Sequence, residues 1–122
     1  ENNDGIVVRF GNTNGGTFTK SAAAEAPLVI RGNAINGYNH GILIGGNHFT
    51  DPNVNKIIID GNTIWGHTPG PAAGYGVLNS RATQASLAAT NNHFCFNDTN
   101  LQDDNPNGTE TGSTTGVDCV AP

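Results

Sequence analysis

Charge is the first thing this sequence is short of. Only 12% of its 122 residues are Asp, Glu, Lys or Arg, and the five basic ones stand singly in a chain of net charge −5. Phosphate binding needs clustered Lys and Arg, so nucleic acid is excluded as a partner. Long apolar runs are missing too: none approaches the roughly 18 residues that would suggest a membrane span. What is shown carries no signal peptide, which fits either a processed chain beginning at Glu1 or an excised fragment. Cysteine is scarce, with Cys95 and Cys119 alone. They form no CxxC pair and no His–Cys metal spacing, which argues against a metal site. A disulfide fits better than two buried thiols. It would tie the polar end of the chain to the segment around Cys95 and imply an oxidising, extracellular or surface compartment. Acidic metal loops are absent as well: no Asp-x-Asp-x-Asp occurs, and Asp103-Asp104 alone is too little for Ca²⁺. No cofactor is implied.

What the chain does have is short β-branched runs punctuated by Gly and Asn. Ile42-Leu43-Ile44 and Ile57-Ile58-Ile59 are too brief for helices, and the second leads through Gly61-Asn62 directly into Thr63-Ile64-Trp65. Strand, Gly-Asn corner and strand describe a chain that turns sharply while staying extended, since Gly and Asn tolerate left-handed backbone. The unit recurs. Leu28 to Gly37 aligns with Ile57 to Gly66 at an offset of 29, and Leu87 to Phe96 follows 30 residues later. A second strand type, Gly5-Ile6-Val7-Val8, returns as Gly41-Ile42-Leu43-Ile44 and Gly76-Val77-Leu78-Asn79. Self-similarity at a near-constant period predicts an all-β solenoid of about three coils.

With the GN-x-I corner (Gly32-Asn33-Ala34-Ile35, Gly61-Asn62-Thr63-Ile64) and the repeated G-[IV]-x-x strand, residues 5–97 resemble the right-handed parallel β-helix of the pectin-lyase type. That resemblance implies three strands per coil and an asparagine ladder in the short turn, which here would be Asn33, Asn62 and Asn92. It divides the chain into coils over 1–97 and a polar, irregular cap or tail over 98–122. Between strands, 11–26 reads as a long loop in which Lys20 to Ala26 allows one helical turn before Pro27 stops it.

Alternation along the strands predicts an unusual exterior. If the outer residues of each triplet face inward, the outward ones are Val7, Leu43 and Leu78 on one sheet and Val29, Ile58 and Ala88 on another. All are apolar, whereas a water-facing sheet would carry Thr, Ser or Lys there. Loops, the tail or a second copy would cover them, unless the apolar surface is simply tolerated. Unless capped by the tail, by another copy or by an upstream portion of the same chain, the first and last coils also expose unpaired strand edges. These features point to a secreted structural or adhesive module that assembles with itself, end to end or laterally.

The resemblance also implies a rival reading, because enzymes of this type cleave or epimerise acidic polysaccharides with basic and acidic groups arrayed on one sheet. The residues available are Arg9, Arg31, Lys56, Asp60 and Arg81, together with His40, His48, Asp51 and His67. His40 could line a groove, and His48 with Asp51 could form an acid/base pair. Arg31 and Asp60 hold equivalent positions before successive corners and read more simply as a surface ion pair. A third reading is a carbohydrate-binding module with Tyr38, Trp65 and Tyr75 as stacking platforms. Asn97-Asp98-Thr99 and Asn107-Gly108-Thr109 match the N-glycosylation sequon.

Overall fold

In the computed structural model the chain is built from β-strands, with no helix among the described residues. The structure describes residues 4–9, 27–36, 39–45, 54–66, 74–116 and 119. Its strands are β1 (Asp4–Val8), β2 (Leu28–Arg31), β3 (Ala34–Asn36), β4 (His40–Ile44), β5 (Asn55–Asp60), β6 (Thr63–Trp65), β7 (Tyr75–Asn79), β8 (Ala85–Thr90), β9 (His93–Cys95), β10 (Thr99–Asp103), β11 (Thr109–Thr111) and β12 (Thr114–Thr115). Every third strand returns to the same sheet, so three parallel sheets form in the orders β1-β4-β7-β10, β2-β5-β8-β11 and β3-β6-β9-β12.

The register is the one the repeats require. Leu28 lies beside Ile57 and Ile57 beside Leu87; Ile6 lies beside Ile42 and Ile42 beside Val77. Inward positions therefore stack into apolar columns. One runs through Ile30, Ile59 and Ala89, another through Ile35, Ile64 and Phe94. Ile42, Ile44, Ile57, Ile59, Ile64, Val77 and Phe94 are almost completely buried. Each such side chain contributes on the order of 1.5–3 kcal/mol of transfer free energy. Phe94 fits because Gly76 faces its ring. A Cβ on Gly76 would lie 2.8 Å from the Phe94 ring and 2.5 Å from the Asn100 carbonyl oxygen.

The corners explain why the chain can repeat this path. Gly32, Gly61, Asn91 and Gly112 stand at equivalent positions with φ of 68°, 64°, 55° and 70°, backbone that Gly adopts freely and Asn tolerates. After each comes a ladder residue. Asn62 Oδ1 accepts from the Asn33 amide (2.9 Å) and side chain (3.0 Å), while its own Nδ2 donates to the Ile30 carbonyl (3.0 Å). Asn92 does the same for Asn62 and donates to the Ile59 carbonyl at 2.9 Å. Asn62 and Asn92 are buried, so these bonds satisfy backbone groups that water cannot reach.

The segment after Asn97 differs from the irregular tail its composition suggests. β10, β11 and β12 add a fourth strand to each sheet. Thr111-Gly112-Ser113-Thr114-Thr115 is a polar version of the strand-corner-strand unit, with the Ser113 hydroxyl accepting from the Asn92 amide at 3.3 Å. Main-chain pairing and a left-handed glycine are enough to define the path where apolar side chains are lacking. The helical turn expected over Lys20 to Ala26 lies outside the described residues.

Candidate functional site

The first residues of β1, β4, β7 and β10 form a column: Asp4, His40, Tyr75 and Thr99 lie in register. His40 Nδ1 is 2.6 Å from Asp4 Oδ1, and the His40 ring stacks on Tyr75 with centroids 5.6 Å apart and planes 9° from parallel. The glycines behind the column place it. A Cβ on Gly41 would meet Ile64 Cγ2 at 2.5 Å, so only glycine lets this corner approach the core so closely. An imidazole oriented by a carboxylate is a competent proton-transfer group. Its Nδ1 is engaged by Asp4 and one ring face by Tyr75, however, which is also what a packed corner column would show.

The other predicted site residues do not converge on it. Tyr38, His48, Asp51 and His67 lie outside the described residues. Trp65 is 8% exposed and sits beside Cys95 in register, so its ring presents no open face to a sugar. Arg31 and Asp60 are on a different sheet. Arg31 Nε donates to Asp60 Oδ2 at 2.8 Å and the Thr90 hydroxyl donates to Asp60 Oδ1 at 2.7 Å. The Thr90 hydroxyl first, and then Arg31, hold the Asp60 carboxyl below its ordinary value of 3.8. The partners Asp4 and Thr90 were missed in the sequence although alignment contains both: Asp4-Gly5-Ile6 matches His40-Gly41-Ile42, and Thr90 follows Arg31 and Asp60 at the same offsets.

Two shallow depressions on the outer face of the β2-β5-β8-β11 sheet share Lys56, Ser86 and Asn107 and have volumes of about 300 and 520 Å³. Lys56 lies beside Ser86 in register, and Ile58 and Ala88 line the floor. A third cavity, about 340 Å³, is different in kind. It is lined by Ile6, Val8, Leu28 and Ile30, the inward residues of β1 and β2, together with Val7 and Arg9. It lies at the end of the apolar core where, among the described residues, no further strand pairs with β1 or β2.

The opposite end is polar. The column Val8, Ile44, Asn79 finishes at Asp103; the column Ile30, Ile59, Ala89 finishes at Glu110; the column Ile35, Ile64, Phe94 finishes at Thr115. The polar turn beneath is satisfied internally. Asn79 Nδ2 donates to Asp103 Oδ1 (2.8 Å) and to the Ala85 carbonyl (2.9 Å), which also accepts from Asn105 Nδ2 (2.8 Å). The outward apolar residues follow the same polarity. Val7 and Val29, 39% and 43% exposed, belong to the first strands, while Leu43, Leu78, Ile58 and Ala88 are half-buried.

Cys95 and Cys119 form a disulfide with Cα atoms 5.8 Å apart, fastening the chain end to β9. Such bonds belong to oxidising compartments. Among the described residues no helix is long and apolar enough to cross a membrane. Of the two sequons, Asn107 is exposed, whereas Asn97 Nδ2 donates to the Ile64 carbonyl at 3.1 Å. Compared with known proteins, the chain matches no family model, no curated protein and no solved structure.

Proposed function

We propose that the chain is a secreted, right-handed parallel β-helix module, similar to the pectin-lyase type, that assembles by docking its β1–β3 end onto a second copy while β10–β12 present a polar end. The observation that carries this reading is the difference between the two ends. Inward columns are apolar at Val8, Ile30 and Ile35 and finish in Asp103, Glu110 and Thr115. The Asn ladder has the same sense. Among the described residues nothing donates to Asn33 Oδ1, whereas Asn62 and Asn92 Oδ1 each accept two bonds.

This asymmetry selects the mode of assembly. Head-to-tail stacking would press Glu110 against the Ile30 column, and burying an unpaired carboxylate costs several kcal/mol. Inward-pointing charge at an edge is a recognised block to edge-to-edge growth. Contact between two β1–β3 ends avoids it and closes after two chains, as an isologous interface must. The exposed Val7 and Val29 flank that end and extend the contact sideways. No observation of this kind favours the glycan readings: one face of Tyr75 is covered by His40, and Trp65 is buried.

Sedimentation velocity across a concentration series tests the proposal. The mass should rise from one chain to two and stop there. Val29→Lys, at a solvent-exposed position, should weaken association about ten-fold or more without loss of the strand signal. A monomer at every concentration, or particles that grow without limit, would contradict the proposal.

A further inference from the structure

The disulfide has a third residue beside it. His93 Nε2 is 3.5 Å from Cys95 Sγ, and one ligand atom each from His93, Cys95 and Cys119 falls within 4.8 Å of the others. His93 and Cys95 are two apart on β9, so both side chains leave the same face of the strand. The other ring nitrogen is held as well: His93 Nδ1 is 2.7 Å from the hydroxyl of Thr114, its in-register neighbour on β12. With Nδ1–H donating to that hydroxyl, the Nε2 lone pair is the one that faces the sulfur. Metal-binding histidines are oriented by just such a partner.

The spacing suits a tetrahedral ion. Bonds of about 2.0–2.1 Å to nitrogen and about 2.3 Å to sulfur at the tetrahedral angle put the two ligand atoms roughly 3.6 Å apart, close to the separation already present. Two sulfurs on one ion sit about 3.8 Å apart, which they can reach only after the disulfide is broken. We propose that Cys95, Cys119 and His93 form a redox-gated site for a soft divalent metal such as Zn²⁺, closed while the disulfide stands and opened by a thiol or phosphine reductant. Two electrons from the reductant cleave the sulfur–sulfur bond and yield two thiols. A thiol reductant leaves as its own disulfide, and a phosphine as its oxide with oxygen from water. Metal binding then displaces both thiol protons, so two thiolates neutralise the ion and His93 Nε2 supplies the third ligand. The fourth position is left to water or another donor. Reading the cysteines only as a bonded pair hid this, because the third ligand lies two residues from one of them.

Titration of the full chain with Co²⁺, after reduction by a phosphine and under anaerobic conditions, tests the site. The reduced chain should bind one ion per molecule and show thiolate-to-cobalt absorption in the near ultraviolet with visible bands of tetrahedral Co²⁺. The oxidised chain should show neither. His93→Gln should weaken binding about ten-fold or more and change the visible bands, and Thr114→Val should weaken it about ten-fold with the bands kept. If reduction alone loosens the β9–β12 region, added Zn²⁺ should restore its strand signal. No thiolate-to-cobalt band, an affinity unaffected by His93→Gln, or a loosened chain that Zn²⁺ fails to restore would each overturn the proposal.

Discussion

Asn62 shows how much of this fold depends on single polar side chains. It is buried, it accepts from Asn33 and it donates to the Ile30 carbonyl, so Asn62→Ala removes the bonds and leaves buried backbone groups unmatched. The expected cost is about 3 kcal/mol by urea denaturation, against about 1 kcal/mol for Asn33→Ala at the exposed end of the ladder. The glycines separate into two kinds. Gly61 has φ of 64° and open space around its missing Cβ, so Gly61→Ala should cost about 1 kcal/mol, and Gly61→Asn less, since Asn91 occupies the same corner naturally. Gly76→Ala meets Phe94 and the Asn100 carbonyl and should cost about 3 kcal/mol. Asp60 makes stability depend on acid. Its folded pKa is lowered, chiefly by the Thr90 hydroxyl and next by Arg31, so its contribution is complete above the ordinary value of 3.8 and fades as pH falls through the lower folded one. The difference in urea midpoint between wild type and Asp60→Asn should therefore be present at about pH 6 and shrink by about pH 2.5. An unchanged difference would show that the two hydrogen bonds do not favour the charged form.

At the scale of elements, what could be read in the sequence depended on whether side chains or backbone defined the strand. β2, β5 and β8 announce themselves through Leu28 to Ile30, Ile57 to Ile59 and Leu87 to Ala89, and the corners Gly32-Asn33, Gly61-Asn62 and Asn91-Asn92 fix where each ends. β11 and β12 carry Thr-Glu-Thr and Thr-Thr, with no apolar alternation at all, and the cue that remained was Gly112 followed by a short polar residue. Composition argued for a loop because it measures burial, and a terminal strand has little to bury. Trp65 failed as a platform for a related reason: its position beside a corner was legible, but its burial beside Cys95 depends on contacts remote in sequence. The His40 column was half legible, since alignment brings Asp4, His40 and Tyr75 together without revealing that one ring would stack on the next. The disulfide fastens the β9–β12 region by closing 24 positions of chain, and its removal in Cys95→Ser/Cys119→Ser should cost about 3 kcal/mol by the chain-entropy account. Hydrogen exchange should speed up first in β10–β12, and uniform acceleration throughout the chain would argue that no local region depends on the bond.

For the whole molecule, the three sheets give a core that is continuous along its length yet different at its two ends. Ile6, Val8, Leu28 and Ile30 line an apolar cavity at one end, whereas Asp103, Glu110 and Thr115 finish the columns at the other. A solenoid unit buries its faces only against neighbours, which is why the proposed contact is placed at the apolar end. If the proposed dimer forms, replacing Glu110 with Leu should remove the barrier to continued stacking and give longer particles, visible by light scattering; particles of unchanged size would mean that Glu110 does not limit growth. The most direct test of the asymmetry is amide hydrogen exchange measured as a function of protein concentration. The account predicts that amides of β1–β3 become more protected as concentration rises while those of β10–β12 stay as they are. Equal protection at both ends, or no change at either, would contradict it.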